Sequence, residues 1–157
     1  MTLRIDRDAD MGVRVWVPGR ARTKGSLKPV HIRSGAGRCR VSLTESGGES
    51  EAWKKIMITV IRGEVECSRH DGAVRVDAEF VFAPETGADR EGIADGSRPW
   101  PTQNRYGDED KLRRNVLDAL TQSGLIKDDA LVIGGSTLKR WTRAGEQAGV
   151  WIEVRPA

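Results

Sequence analysis

The chain has 157 residues, 38% of them hydrophobic and 31% charged, with a formal net charge of +3. That length fits one domain with a real hydrophobic core, and the composition excludes a disordered or fibrous chain. No apolar run approaches the roughly 18 residues of a membrane helix, and the opening M-T-L-R-I-D-R-D-A-D lacks an apolar stretch of signal-peptide length. A cytoplasmic protein without a membrane partner is therefore expected. Cys39 and Cys67 stand far apart in no C-x-x-C arrangement, which points to free thiols and away from a zinc site.

Residues 1–12 read as an N-terminal extension of a single domain spanning 1–157. Val13, Val15 and Val17 alternate with Arg14 and Trp16, the period of a strand, which Pro18 and Gly19 end. The next stretch holds Arg20, Arg22, Lys24, Lys28, Arg33, Arg38 and Arg40 with no acidic residue. Its glycines and Pro29 suggest a loop. A basic stretch of this kind can be a solvated surface, or an arm that grips phosphates by releasing counterions without reading sequence. Residues 39–44 suggest a second short strand. Trp53, Ile56, Met57, Val60 and Ile61 then fall on one helical face, with Glu51, Lys54 and Lys55 opposite.

Val74, Val76, Ala78, Phe80 and Phe82 predict a further strand. Residues 83–107 show neither period, and a connection this long is usually functional or disordered. A mobile flank of a functional site is expected there, with Trp100 between two prolines as its pin. Leu112, Val116, Leu117 and Leu120 predict a helix that Gly124 stops. Residues 131–133 and 150–154 read as strands. Mixed elements in this order predict an α+β fold, a mixed β-sheet packed with helices.

The chemistry concentrates between Asp108 and Asp129. Asp108 and Asp110 flank Glu109 just before the helix, and Asp128 and Asp129 follow it. One Asp at a helix start is a cap, but two with a Glu between them repel one another unless a cation is present. Clustered carboxylate oxygens suit Mg²⁺, and Mg²⁺ suits phosphate-ester chemistry. Two residues along a helix are turned by about 200°, so convergence of Asp108 and Asp110 requires an extended approach, with the helix starting near Lys111. Of Asp128 and Asp129, at most one faces a metal at a strand start; the other reading is a turn. Arg114 lies four residues from both Asp110 and Asp118, which makes it either a rung of a surface ion-pair ladder or a cation for the phosphate. Lys111 shares that ambiguity. His31 and His70 are isolated, and Trp141, beside Arg140 and Arg143, suits a half-buried strand end better than base stacking. These residues suggest a metal-dependent nuclease.

G-D-E-D-K-L-R-R-N-V-L-D-A-L (107–120), S-G-L-I-K-D-D-A-L-V (123–132) and the later Lys139 resemble the RusA-type Holliday junction resolvases. V-W-V-P-G-R-A-R-T-K and G-V-W-I-E-V resemble that family's first and last strands. The resemblance implies a RusA-like fold and a homodimeric, Mg²⁺-dependent endonuclease that cuts four-way DNA junctions by paired nicks, with Mn²⁺ as a possible substitute ion. It maps the catalytic, metal-holding acids onto Asp108, Asp110 and Asp129, and brings Lys139 to the DNA alongside Arg20, Arg22, Lys24 and Lys28. It also implies a bacterial or phage origin and a role in recombination. Lys111 stands where the family has Asn, and Arg114 where it has Lys. Two other functions fit the same residues: a nuclease of flaps or forks, and a junction-binding protein that has lost catalysis.

Overall fold

The computed structural model describes residues 12–24, 27–33, 39–45, 48–65 and 69–157, with the side chains of 27–33, 39–45 and 64–65 outside the description. Its elements run β1 (Val13–Pro18), β2 (Leu27–Arg33), β3 (Cys39–Glu45), α1 (Gly48–Val65), β4 (Val74–Phe82), α2 (Gly87–Ala94), α3 (Glu109–Ser123), β5 (Val132–Gly134), β6 (Thr137–Trp141) and β7 (Gly149–Pro156). Short 3-10 turns fill Asn104–Tyr106 and Asp129–Leu131. Among the described residues no helix is long and apolar enough to cross a membrane.

The five-stranded sheet is mixed, as expected. β4 is central: it pairs antiparallel with β7, which pairs antiparallel with β1, and on its other side it runs parallel to β5 and then β6. Alternation dictates which face is dry. Val15, Val17, Val76, Phe80, Val150 and Ile152 point to one side and are buried, while Arg14, Asp77, Glu79 and Glu153 remain on the other. Against the dry face α1 and α3 pack together, adding Trp53, Met57, Ile61, Leu112, Val116 and Leu120 to one core. Each such fully buried side chain stabilises the fold by about 1.5–3 kcal/mol. The result is an α+β domain with helices on one face of a mixed sheet.

Several expectations are corrected here. The α1 stripe is turned from the expected one: Ile56 is exposed, whereas Lys54, assigned to the solvent side, is buried and pairs with Glu51 at 2.9 Å. Because α1 meets both α3 and β1, its buried arc extends towards positions 54 and 58, and a lysine can bury its methylene stem while its charge finds a partner. Residues 27–33, read as basic loop, form β2 and pair with β3 from Leu27↔Glu45 to Arg33↔Cys39. Pro29 is compatible with this, since in a two-stranded ribbon every other N–H of each strand faces outward and makes no ladder bond.

The segment 83–107, expected to lack structure, contains α2 and a 3-10 turn. Thr86 caps α2 reciprocally: its hydroxyl accepts from the Asp89 N–H at 3.1 Å while Asp89 accepts from the Thr86 N–H at 3.2 Å. Trp100 is not the pin, being half exposed. Trp141 and Tyr106 hold the segment instead. Trp141 is buried, donates from Nε1 to the Arg98 carbonyl at 2.9 Å, and meets Tyr106 edge-on at 5.0 Å.

Candidate active site

Helix α3 starts at Glu109, two residues earlier than the convergence of Asp108 and Asp110 requires. Asp108 is the N-cap residue in extended conformation, and Asp110 lies inside the first turn, so the extended approach expected for both holds for Asp108 alone. Each has its own cation. Asp108 pairs with Lys111 at 2.7 Å, and Asp110 faces Arg114 at 3.6 Å. Asp108 makes no side-chain cap bond, so its oxygens are not used by the helix backbone. The hydrogen bond and charge of Lys111, then the charge of Lys139, hold its carboxyl below the usual range; the same bond raises Lys111.

The backbone before this pair is fixed from two sides. Gly107 sits at φ 77°, and a Cβ there would lie 2.2 Å from the Thr23 methyl, so only glycine lets the approach to Asp108 pass so close to residue 23. From β6, Lys139 donates to the Gly107 carbonyl at 2.7 Å. Desolvation lowers the Lys139 pKa, against the charges of Asp108 and Glu109, which raise it.

Residues 20–24 run beside the start of α3. The buried Asn115 donates to the Arg22 carbonyl at 3.0 Å, and the Lys24 N–H donates to the Lys111 carbonyl at 3.2 Å. This brings part of the basic stretch to the acidic motif. Its cations are paired at present: Arg20 with Glu85 at 2.7 Å, Arg22 with Glu49 at 3.0 Å, and Lys24 with Asp118 at 2.6 Å. Asp118 thus belongs to Lys24, and the expected ladder keeps only its Asp110–Arg114 rung. The Lys28, His31, Arg33 and Arg40 side chains, and Arg38 and Cys67 altogether, lie outside the described residues.

After α3, Gly124 takes the left-handed cap conformation that the sequence predicts. His70 then donates its N–H to the Leu125 carbonyl at 2.8 Å and accepts from the Lys127 N–H at 3.2 Å, which docks residues 125–127 against it. The His70 Nε2 is buried without a partner among the described residues, and burial lowers its pKa. Asp128 caps the next turn, accepting from the Ala130 N–H at 2.8 Å, and so takes the turn role that the sequence left open. Asp129 is exposed at the first position of that turn. Among the described residues no three Asp, Glu, His or Cys side chains gather into a group able to hold a metal ion. The donor chemistry of Asp108 and Asp110, exposed hard oxygens, fits a divalent ion; Asp129 is not assembled with them into a three-carboxylate set in this structure.

Sequence reasoning missed Asp89. Its carboxylate is fully buried and accepts from Tyr106 Oη at 2.6 Å, Arg98 at 2.9 Å, Arg105 and the Thr86 N–H. Burial pushes this carboxyl up, but the Tyr106, Arg105 and Thr86 donors outweigh it and hold the group ionised well below the usual range. A buried charge is tolerable only with its lone pairs filled in this way. The available signal was T-x-x-D at 86–89, a capping-box pattern. The hub ties α2, Arg98 and Tyr106 together immediately before Gly107 and Asp108.

Exposed carboxylates beside cations at a helix start are donors of the kind that phosphate-ester chemistry uses. The chain matches the family model described as endodeoxyribonuclease RusA over residues 30–155 and belongs to that family. Membership implies a nuclease-type enzyme and suggests junction resolution, with branched DNA as ligand and dimeric action. None of the curated proteins compared with the chain matches it.

Proposed function

We propose that this protein is a Mg²⁺-dependent endodeoxyribonuclease that resolves Holliday junctions by paired phosphodiester cleavage in recombination and repair. The observation that carries this reading is the start of α3. There Asp108 and Asp110 are exposed and free of capping, with Lys111, Arg114 and Lys139 beside them. Asp108, Asp110 and Asp129 would hold the ion, with Mn²⁺ as a substitute. Bound there, the metal would supply a water activated near neutral pH and neutralise charge on the phosphate. Lys111 and Arg114 orient that phosphate, and Arg20, Arg22, Lys24, Lys28 and Lys139 supply positive charge for the DNA backbone. A homodimer supports paired cutting, because a two-fold axis places two equal sites on two symmetric strands. The reading includes a cytoplasmic, bacterial or phage-encoded enzyme.

Incubating labelled four-way junction with the protein, in Mg²⁺ and separately in EDTA, tests this directly. Symmetric paired nicks with Mg²⁺ alone are expected. Preferential cutting of flaps or forks would replace junction resolution with the other nuclease function. Binding without cutting would make the protein a junction binder, a reading favoured by the occupation of both carboxylates by Lys111 and Arg114.

A further inference from the structure

The position of Lys111 bears on how the carboxylates of α3 receive a divalent ion, an inference that rests on the metal reading above. Asp108 has no capping bond to the helix, and the Lys111 ammonium stands 2.7 Å from its carboxylate, within one helical turn. That distance is hydrogen-bond contact, so the ammonium occupies lone pairs that a hard cation would need. Both partners reach solvent, Lys111 at 41% and Asp108 at 60% side-chain exposure. Exposed pairs of this kind are weak and exchange readily. Asp110 is less firmly held, its nearest guanidinium contact being 3.6 Å.

We propose that Lys111 is a built-in counterion of this site. In the metal-free protein it neutralises Asp108, and a divalent cation takes that carboxylate only by displacing the ammonium. The displaced lysine is then free to meet a phosphate oxygen beside the ion. The consequence is a raised metal requirement, because each binding event breaks one ion pair and sets a positive side chain next to the ion. Removing the charge should tighten metal binding by about two- to fivefold, the size of one exposed ion pair.

The test is metal binding by the full chain without DNA: Mg²⁺ by titration calorimetry, and Mn²⁺ by loss of the free-ion magnetic resonance signal. Lys111→Met removes the charge and adds no donor, whereas Lys111→Asn removes it and adds an amide oxygen. Both should bind the metals about two- to fivefold more tightly than the unaltered protein, at unchanged melting temperature. The Lys111→Met effect should vanish in an Asp108→Asn background, since the counterion then has nothing to guard. Equal affinities in Lys111→Met and the unaltered protein would overturn the proposal. So would tightening confined to Lys111→Asn, which would mean amide ligation, or tightening that survives Asp108→Asn, which would mean general electrostatics. If no variant takes up either metal, the metal reading of the site falls with it.

Discussion

Lys139 reaches from β6 to donate to the backbone carbonyl of Gly107, 2.7 Å away and one residue before Asp108. One strand thereby fixes the entry to α3 from the sheet side, while Thr23 closes on Gly107 from another side. Lys139→Met would leave the Gly107 carbonyl without this charged donor. A hydrogen bond to a charged group contributes about 1.5–3 kcal/mol, and the half-exposed site should show the lower part of that range. Denaturant midpoints should fall accordingly, and junction cleavage should slow beyond what the residual folded fraction explains. Unchanged stability and cleavage would remove Lys139 from the support of the motif.

Asp110→Asn should abolish cleavage while junction binding survives or tightens, because the change removes a metal donor and a charge that repels phosphates. Loss of metal catalysis costs several kcal/mol of barrier, and one decade of rate is only about 1.4 kcal/mol. Cutting above about a tenth of the original rate at saturating Mg²⁺ would therefore contradict a ligand role. Gel shift in EDTA reports binding separately.

The dry face of the sheet and the α3 stripe were legible because strict period-two and helical patterns leave little choice of face: Val74 to Phe82 and Leu112 to Leu120 lie where their spacing puts them. β6 was not legible. Its T-L-K-R-W carries two cations, and it is a strand because Ala78 to Phe82 offer it a parallel partner, a long-range fact that no local window holds. The 83–107 segment failed for a related reason. Its order comes from Asp89 meeting Tyr106, Arg98 and Arg105, partners 9 to 17 residues away. At the candidate site the motif and the Asp110–Arg114 rung were readable, but the pairing of Asp108 with Lys111 was decided by where α3 begins.

Lys24→Ala should weaken binding to all junction sequences alike and flatten the salt dependence by up to about one charge's worth. The effect requires Lys24 to leave Asp118, which it meets at 2.6 Å. An unchanged slope of log K against log salt would mean that the pair stays closed on DNA and that Lys24 only braces α3.

Arg114→Ala decides between a surface rung and a phosphate ligand. The Asp110–Arg114 pair is long at 3.6 Å and both side chains are 62% exposed, so its loss should cost no more than about 0.5 kcal/mol of stability. A phosphate-orienting fork predicts a loss of single-turnover cleavage well beyond threefold at unchanged melting temperature. Cleavage within threefold would take Arg114 out of the site.

Asp89 gives the chain an acid-sensitive hinge. Its folded carboxyl lies below the ordinary aspartate value of 3.8, so its ionised form stabilises the fold above that pH, and the stabilisation drains away as pH falls from about 4 towards the lower folded value. Protonation would weaken the bonds from Arg98 and Arg105 and loosen the segment leading to Gly107. Asp89→Asn should lower the melting temperature by several degrees at pH 7, since two guanidiniums lose their shared carboxylate. It should also flatten the fall in stability below pH 4. Tyr106→Phe separates the two parts of the hub: it removes the 2.6 Å hydroxyl bond but leaves both guanidiniums paired, so it should destabilise less and keep most of the acid sensitivity. An Asp89→Asn protein whose melting temperature and acid profile match the original would show that the segment is held by the Trp141 and Tyr106 rings alone.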